Sequence, residues 1–241
     1  MYKFNPNFDI PKKPGARIWR YMDFTTFVSV LHKSALFFPR ADKLDDPFEG
    51  SFPKANIEQR ADMAYLSEYY RMYLKLTVIN SWHLNGYESA AMWKLYLKSN
   101  EGIAIRSTFD RLTRSFTDRN AHKINVAKVK YINYTRDPPI REDSLSPYFH
   151  KRKNFQHERE LRAVIQEFRY KKNGDICFDR SPFGDGLYVP VDLDLLVDRV
   201  YVAPGCPPWQ RELVESVLDK YGLDKTVVAS RLYTRDSRIV Y

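Results

Sequence analysis

Short β-type runs and helical stretches alternate along this chain without a repeating βαβ period, and that irregularity is the strongest constraint on its fold. A parallel, doubly wound sheet needs strands and crossover helices in regular succession. Here "ARIWRYM" (16–22) has the β-branched and aromatic content of a strand. A helix follows, with Asp23 as N-cap and Phe24, Phe27, Val28 and Leu31 at helical spacing. "ALFFPR" reads as a second strand and "ADKLDDPFEGSFP" as a loop, with Asp46 bonding its own backbone before Pro47. The pattern predicts helices over 56–75, 88–98, 107–116 and 148–158. Strands are expected over 75–82, 101–107, 125–134 and 160–168, with a hairpin through 172–175. "LYVPVDL", "VDRVYVAPG" and "TVVASRLY" are further strands. A last helix starts at Pro207-Pro208, turns Leu213, Val214, Val217, Leu218 and Tyr221 inward and stops at Gly222. The expected fold is α+β, a mixed or antiparallel sheet with flanking helices. Residues 1–15 read as an arm over the surface and 16–241 as a single domain.

At 241 residues the chain is long enough to bury a substantial core. No apolar stretch approaches the roughly 18 residues of a membrane span, and the first fifteen residues lack the apolar run of a secretory signal. Cys177 and Cys206 match no metal spacing. A cytoplasmic protein is expected. The net charge of +9 and pI near 9.4 favour a polyanionic partner, and "HKRKNF" (150–155) and "RYKKNG" (169–174) are the basic clusters that would meet it.

Much familiar chemistry is missing. The sequence has no GxxxxGK[ST], no GxGxxG after a strand, no HExxH and no GxSxG. Its five histidines show no i, i+4 pair. Asp45, Asp46 and Glu49 leave a metal-dependent nuclease as a third reading.

What remains is "KNFQHERELRAVI" (153–165), with Glu158 and Glu160 at the mouth of an apolar run. In a strand, residues i and i+2 share a face, so both carboxylates would enter one cleft beside Lys151 and Lys153. The alternative has one glutamate ending a helix and both in solvent, paired with Arg159 and Arg162. "IWRYMDFTTFVSVLHKSALFFPRADKLDDPFEG" and "INSWHLNGYESAAMWKLYLKSNEGIAIRS" are the other two distinctive stretches.

Together with "KNFQHERELRAV", these stretches resemble the bacterial domain-of-unknown-function family numbered 2971, over roughly residues 17 to 233. The layout is similar to that of ADP-ribosyltransferases, which place an Arg or His on a first strand, a Ser or Tyr on a middle strand and a Glu on a later one. The resemblance implies Arg20, Ser81 and the Glu158/Glu160 pair in those positions, with NAD as substrate and no metal. It gives Glu160 the ribose contact and Glu158 the acceptor. Arg20 would grip the pyrophosphate or the adenosine ribose, Ser81 would fix the nicotinamide ribose, and Tyr21, Trp82 or Tyr96 would stack on the nicotinamide. A toxin or antiviral effector acting on nucleic acid or protein is the activity implied, with an antitoxin as a partner. An inactive domain of the same fold that binds nucleic acid or protein is the alternative.

Overall fold

The computed structural model describes residues 1–60, 64–96, 101–117, 121–178 and 181–235. In chain order its strands are β1 (Arg17–Asp23), β2 (Ala35–Pro39), β3 (Thr77–Leu84), β4 (Gly102–Thr108), β5 (Asn125–Lys128), β6 (Lys130–Ile132), β7 (His150–Arg152), β8 (Glu160–Gln166), β9 (Gly186–Pro190), β10 (Arg199–Val202) and β11 (Val227–Ala229). The helices are α1 (Phe24–Lys33), α2 (Lys54–Gln59), α3 (Ala64–Tyr73), α4 (Ala90–Tyr96), α5 (Phe109–Ser115), α6 (Leu193–Leu196) and α7 (Pro208–Lys220). The fold is α+β with mixed strand pairing and flanking helices, as the irregular alternation predicts.

The chain divides into two compact units, each assembled from separated segments. The first holds residues 1–11, 36–82 and 118–189, and the second residues 12–35, 83–117 and 190–241.

In the second unit β1 runs antiparallel to β4, β4 antiparallel to β10, and β10 parallel to β11. Asp23 caps α1 by accepting from the Thr26 amide at 2.6 Å, which satisfies one of the helix's first free N–H groups. Phe27, Val30 and Leu31 then form its buried stripe. α7 begins at Pro208 and buries Val214 and Leu218. Leu213 and Tyr221 are exposed, against expectation. Leu213 sits about 100° around the helix from Val214, and Tyr221 lies past the last turn as its cap.

In the first unit β8 lies between β3 and β5, antiparallel to β5. The strand expected over 125–134 breaks at Val129, whose amide still donates to the Glu160 carbonyl at 2.9 Å. Beyond that point β6 leaves and pairs in parallel with β7. This pairing also interrupts the helix expected over 148–158. His150, Lys151 and Arg152 are extended, between 3₁₀ turns at Ser146–Phe149 and Lys153–Glu158. The helix expected over 56–75 is two helices, α2 and α3, and its residues 61–63 lie outside the described residues, as do 97–98 of the next. The start of the N-terminal arm is tied down. Tyr2 bridges to Ile124, and the Phe8 ring sits 4.5 Å from that of Phe149. A bridge between Tyr170 and Ile176 closes the hairpin, with Gly174 at φ +88° in its turn.

A buried carboxylate cluster as candidate active site

β8 enters the first unit's core as an almost wholly buried strand, yet its first and third residues are charged. Glu160 and Arg162 project to the same face, as i and i+2 must, at 6% and 1% exposure. An arginine so enclosed must find partners for five N–H groups. It does. Nε and Nη2 donate to the two Glu160 oxygens at 2.7 and 3.2 Å. Nη1 and Nη2 donate to the two Glu49 oxygens at 2.5 and 3.0 Å, and Nη1 also reaches the Tyr148 carbonyl at 2.8 Å.

Glu49 arrives on the turn after β2. Asp46 organises that turn, its side chain accepting from the Phe48 amide at 3.0 Å and its carbonyl from the Glu49 amide at 2.9 Å. Arg152 donates to Asp46 at 2.7 Å and covers the Phe48 ring. Gly50 follows with φ +68°, where a Cβ would lie 2.7 Å from Leu74 Cδ2 and 2.9 Å from Tyr148 Cε1. Only glycine fits that backbone and that space.

From the β6–β7 ribbon come two more members. The Lys151 ammonium donates to Glu158 Oε2 at 2.5 Å and to Glu160 Oε1 at 2.9 Å, over the Phe155 ring. The Tyr131 hydroxyl accepts from the Glu160 amide at 2.8 Å. Glu158 itself ends the second 3₁₀ turn, and Arg159 then adopts a left-handed conformation with φ +43° before β8 begins. The two glutamates therefore meet through a backbone reversal, and the shared strand face expected for them is not what joins them. One glutamate does end a helical turn, as the alternative has it. Neither is solvated: their side chains are 19% and 6% exposed.

Three carboxylates thus face two cations, and one proton balances the cluster. Burial and the neighbouring Glu160 raise Glu158 to about 7, with Lys151 opposing. Burial alone would raise Glu160 too, but Arg162 and Lys151 outweigh it and hold that carboxylate well below its usual range. Glu49 is pushed up by burial against the pull of Arg162. Groups whose proton affinities are driven apart in this way are the usual acid–base arrangement of catalytic sites.

The structure brings Glu158 and Glu160 together, and it places the remaining expected residues as follows. Ser81 is half-buried on β3. Trp82 beside it is 1% exposed and donates to Asn80 at 2.8 Å, so its ring faces are enclosed. In the second unit, burial lowers Arg20 on β1 to about 10, with Tyr96 opposing. Tyr21 is buried edge-on to Trp93, its hydroxyl accepting from the Ser89 amide at 2.9 Å. Tyr96 is the exposed member of the three aromatic residues expected to stack on a ring. Among the described residues, no group of three or more His, Cys, Asp or Glu is placed to hold a metal ion. Asp46 and Glu49 are engaged by Arg152 and Arg162 instead.

The basic clusters divide as well. Lys151, Arg152 and Lys153 are all drawn into ion pairs within the first unit. Arg169, Tyr170, Lys171 and Lys172 stand exposed on the hairpin. Sequence reasoning paired Arg162 with the glutamates only in solvent, missing it as the buried centre of the cluster, and it missed Tyr131 as the clamp. An arginine set two residues after a glutamate inside "ELRAVI" was the available signal.

No family model matches the chain, and no curated protein matches it. It is similar to a solved structure of Thermus sp. 2.9 DarT in complex with ADP-ribosylated ssDNA, at 8% identity and a TM-score of 0.44, over 92% of this chain and 97% of that one. A second structure of Thermus sp. 2.9 DarT, in complex with NAD⁺, is similar at 7% identity and a TM-score of 0.45, over 92% and 98%. Among the described residues no helix is long and apolar enough to cross a membrane.

Proposed function

We propose that the protein is an NAD-consuming ADP-ribosyltransferase whose chemistry is done at the Glu158–Glu160 pair. The observation that carries this reading is one ammonium holding two carboxylates, one fixed as an anion and the other near 7. Cleaving the ribose–nicotinamide bond sends the bonding pair out with neutral nicotinamide and leaves an oxocarbenium-like ribose. An acceptor nucleophile then bonds to that carbon and sheds a proton. A carboxylate near 7 is half ionised at neutral pH, so Glu158 suits both needs: negative charge beside the ribosyl cation and a base for the acceptor's proton. Glu160 is enclosed with both oxygens occupied, so its role here is to fix charge and position. The ribose contact that the resemblance gives Glu160 passes in this reading to Glu158.

The acceptor class we propose is nucleic acid, supported by the net charge of +9 and the exposed basic hairpin at 169–174. Membership of the family numbered 2971 and the NAD-binding roles of Arg20, Ser81 and Tyr96 belong to the same proposal, whereas Tyr21 and Trp82 are enclosed and offer no ring face for stacking. Arg20→Ala tests the residue roles separately through KM for NAD. A second reading has its own observation: Arg162 uses every donor it has inside the core. A cluster that complete is also what a purely structural ion network requires, and the protein would then be a binding module.

The deciding experiment incubates the protein with adenine-labelled NAD alone, with RNA, with DNA and with lysate, following free nicotinamide and labelled macromolecule. Wild-type protein should transfer label, and Glu158→Gln should lower the rate at least 100-fold with the fold intact. Full activity in Glu158→Gln removes that residue from the mechanism. No nicotinamide release from the wild type, together with salt-sensitive nucleic-acid retention, favours the binding module.

A further inference from the structure

We infer that Lys151 is the positioning residue of the carboxylate pair: its single ammonium holds Glu158 against Glu160 and limits how firmly Glu158 keeps the shared proton. The geometry is asymmetric in a way that produces this outcome. Glu160 receives Arg162 on both oxygens in addition to Lys151. Lys151 also donates to Glu158, at 2.5 Å. The two-point grip of Arg162 fixes the anion on Glu160 and leaves the proton to Glu158. Lys151 is the charge that keeps Glu158 from rising further.

The ammonium is itself restrained. It sits on the Phe155 ring at 4.5 Å, is 11% exposed, and projects from β7 on the face opposite His150 and Arg152. Its strand partner in register is Tyr131, whose hydroxyl clamps the start of β8. One ribbon face therefore sets both the place and the charge of the pair. The charged and titratable groups around Glu158 include Lys151 on β7, Tyr131 on β6, Glu160 and Arg162 on β8, Glu49 beyond Arg162, and Arg159 next in the chain. Lys151 is bonded to both glutamates.

The consequence for catalysis rests on the transferase reading, but the proton assignment does not. The experiment is therefore a carboxyl carbon-13 titration, with Glu158→Gln used for assignment, in wild type, Lys151→Met and Lys151→Arg. Lys151→Met should move the Glu158 midpoint upward by at least one pH unit, a tenfold change in its ionised fraction near neutrality. Lys151→Arg should return it close to the wild-type value. In the wild type, the Lys151 nitrogen-15 resonance should shift with the same midpoint as Glu158, a readout that needs no variant to fold. Activity provides the second arm: Lys151→Met should lower kcat for nicotinamide release at pH 7 at least tenfold, with KM for NAD little changed. A folded Lys151→Met with an unmoved Glu158 midpoint, or a wild-type Lys151 resonance blind to Glu158, overturns the inference. A moved midpoint without NAD turnover in any variant overturns the transferase reading and leaves the inference standing.

Discussion

The two units bury their interiors by opposite means. In the second, Trp19, Tyr21, Met92, Trp93, Ala104, Tyr201 and Ala203 form an interlocked aromatic cluster. Trp19 meets Tyr201, and Tyr21 meets Trp93, each at 4.9 Å and edge to face. Each polar tip is paired at the margin: Trp19 donates to the Asn85 carbonyl, Trp93 to Glu88, and the Tyr201 hydroxyl accepts from Arg106. The first unit has an apolar cluster of its own, around Ile79, Tyr148, Phe149 and Val164. Beside it, however, the first unit also encloses Glu49, Glu158, Glu160, Lys151 and Arg162. Burying five ionisable groups costs several kcal/mol in desolvation, which ion pairing only partly returns. The second unit encloses fewer charges: burial lowers Arg20 there to about 10, and Arg106 pairs with Asp198.

This contrast breaks most sharply at Arg162. Arg162→Met leaves Glu49 and Glu160 buried without their cation and should destabilise the protein by about 3–5 kcal/mol. Adding Glu49→Gln and Glu160→Gln should recover a large part of that loss in urea unfolding. If the single variant costs under about 1 kcal/mol, the cluster is not the closed network described.

Next in size is the response to pH. Folded Glu158 keeps its proton up to about 7, whereas an unfolded glutamate releases it near about 4.3. The folded state binds more protons between those values, so stability falls as pH rises through that window, by about 3–4 kcal/mol. Glu160 has the opposite sign. Its pKa is depressed on folding, so its contribution is full above the unfolded value and is lost as pH falls through the folded one. The pair titrates as a unit, and its summed contribution should peak near about pH 5. Urea midpoints from pH 3 to 9 measure this, and Glu158→Gln should flatten the alkaline limb while leaving the acid limb. A pH-independent wild type contradicts the assignment.

The smallest effect belongs to the aromatic unit. Tyr21→Phe removes the acceptor of the Ser89 amide and should cost about 1 kcal/mol, equally at pH 5 and pH 8. A pH-dependent loss there would erase the distinction between the two interiors.

Local chemistry was legible in the sequence, and long-range chemistry was not. Asp23 as a cap, Asp46 bonding its own turn, the hairpin at 172–175 and the α+β class all rest on neighbours within a few positions. The strand at 150–152 escaped notice because its partner β6 lies some twenty residues earlier, and no periodicity announces a parallel three-residue pair. The meeting of Glu158 with Glu160 was expected through strand alternation, yet it depends on a left-handed Arg159. Non-glycine residues reach that conformation infrequently, and nothing in "HERE" marks it. Glu49 was considered as a metal ligand, whereas Arg162 claims it across 113 positions of sequence.

That separation has a kinetic consequence. Bringing positions 113 residues apart into contact carries a large loop-closure entropy, and Gly50 admits no side chain between its backbone and Tyr148. A cluster closed across so long a loop is expected to form late in folding, which the folding and unfolding rates of Arg162→Met would measure. Interactions formed after the rate-limiting barrier govern how fast a protein comes apart, with little effect on how fast it assembles. The charged interior then serves as a latch on the native state: loosening it should steepen the escape from the fold and leave the approach to it almost unchanged.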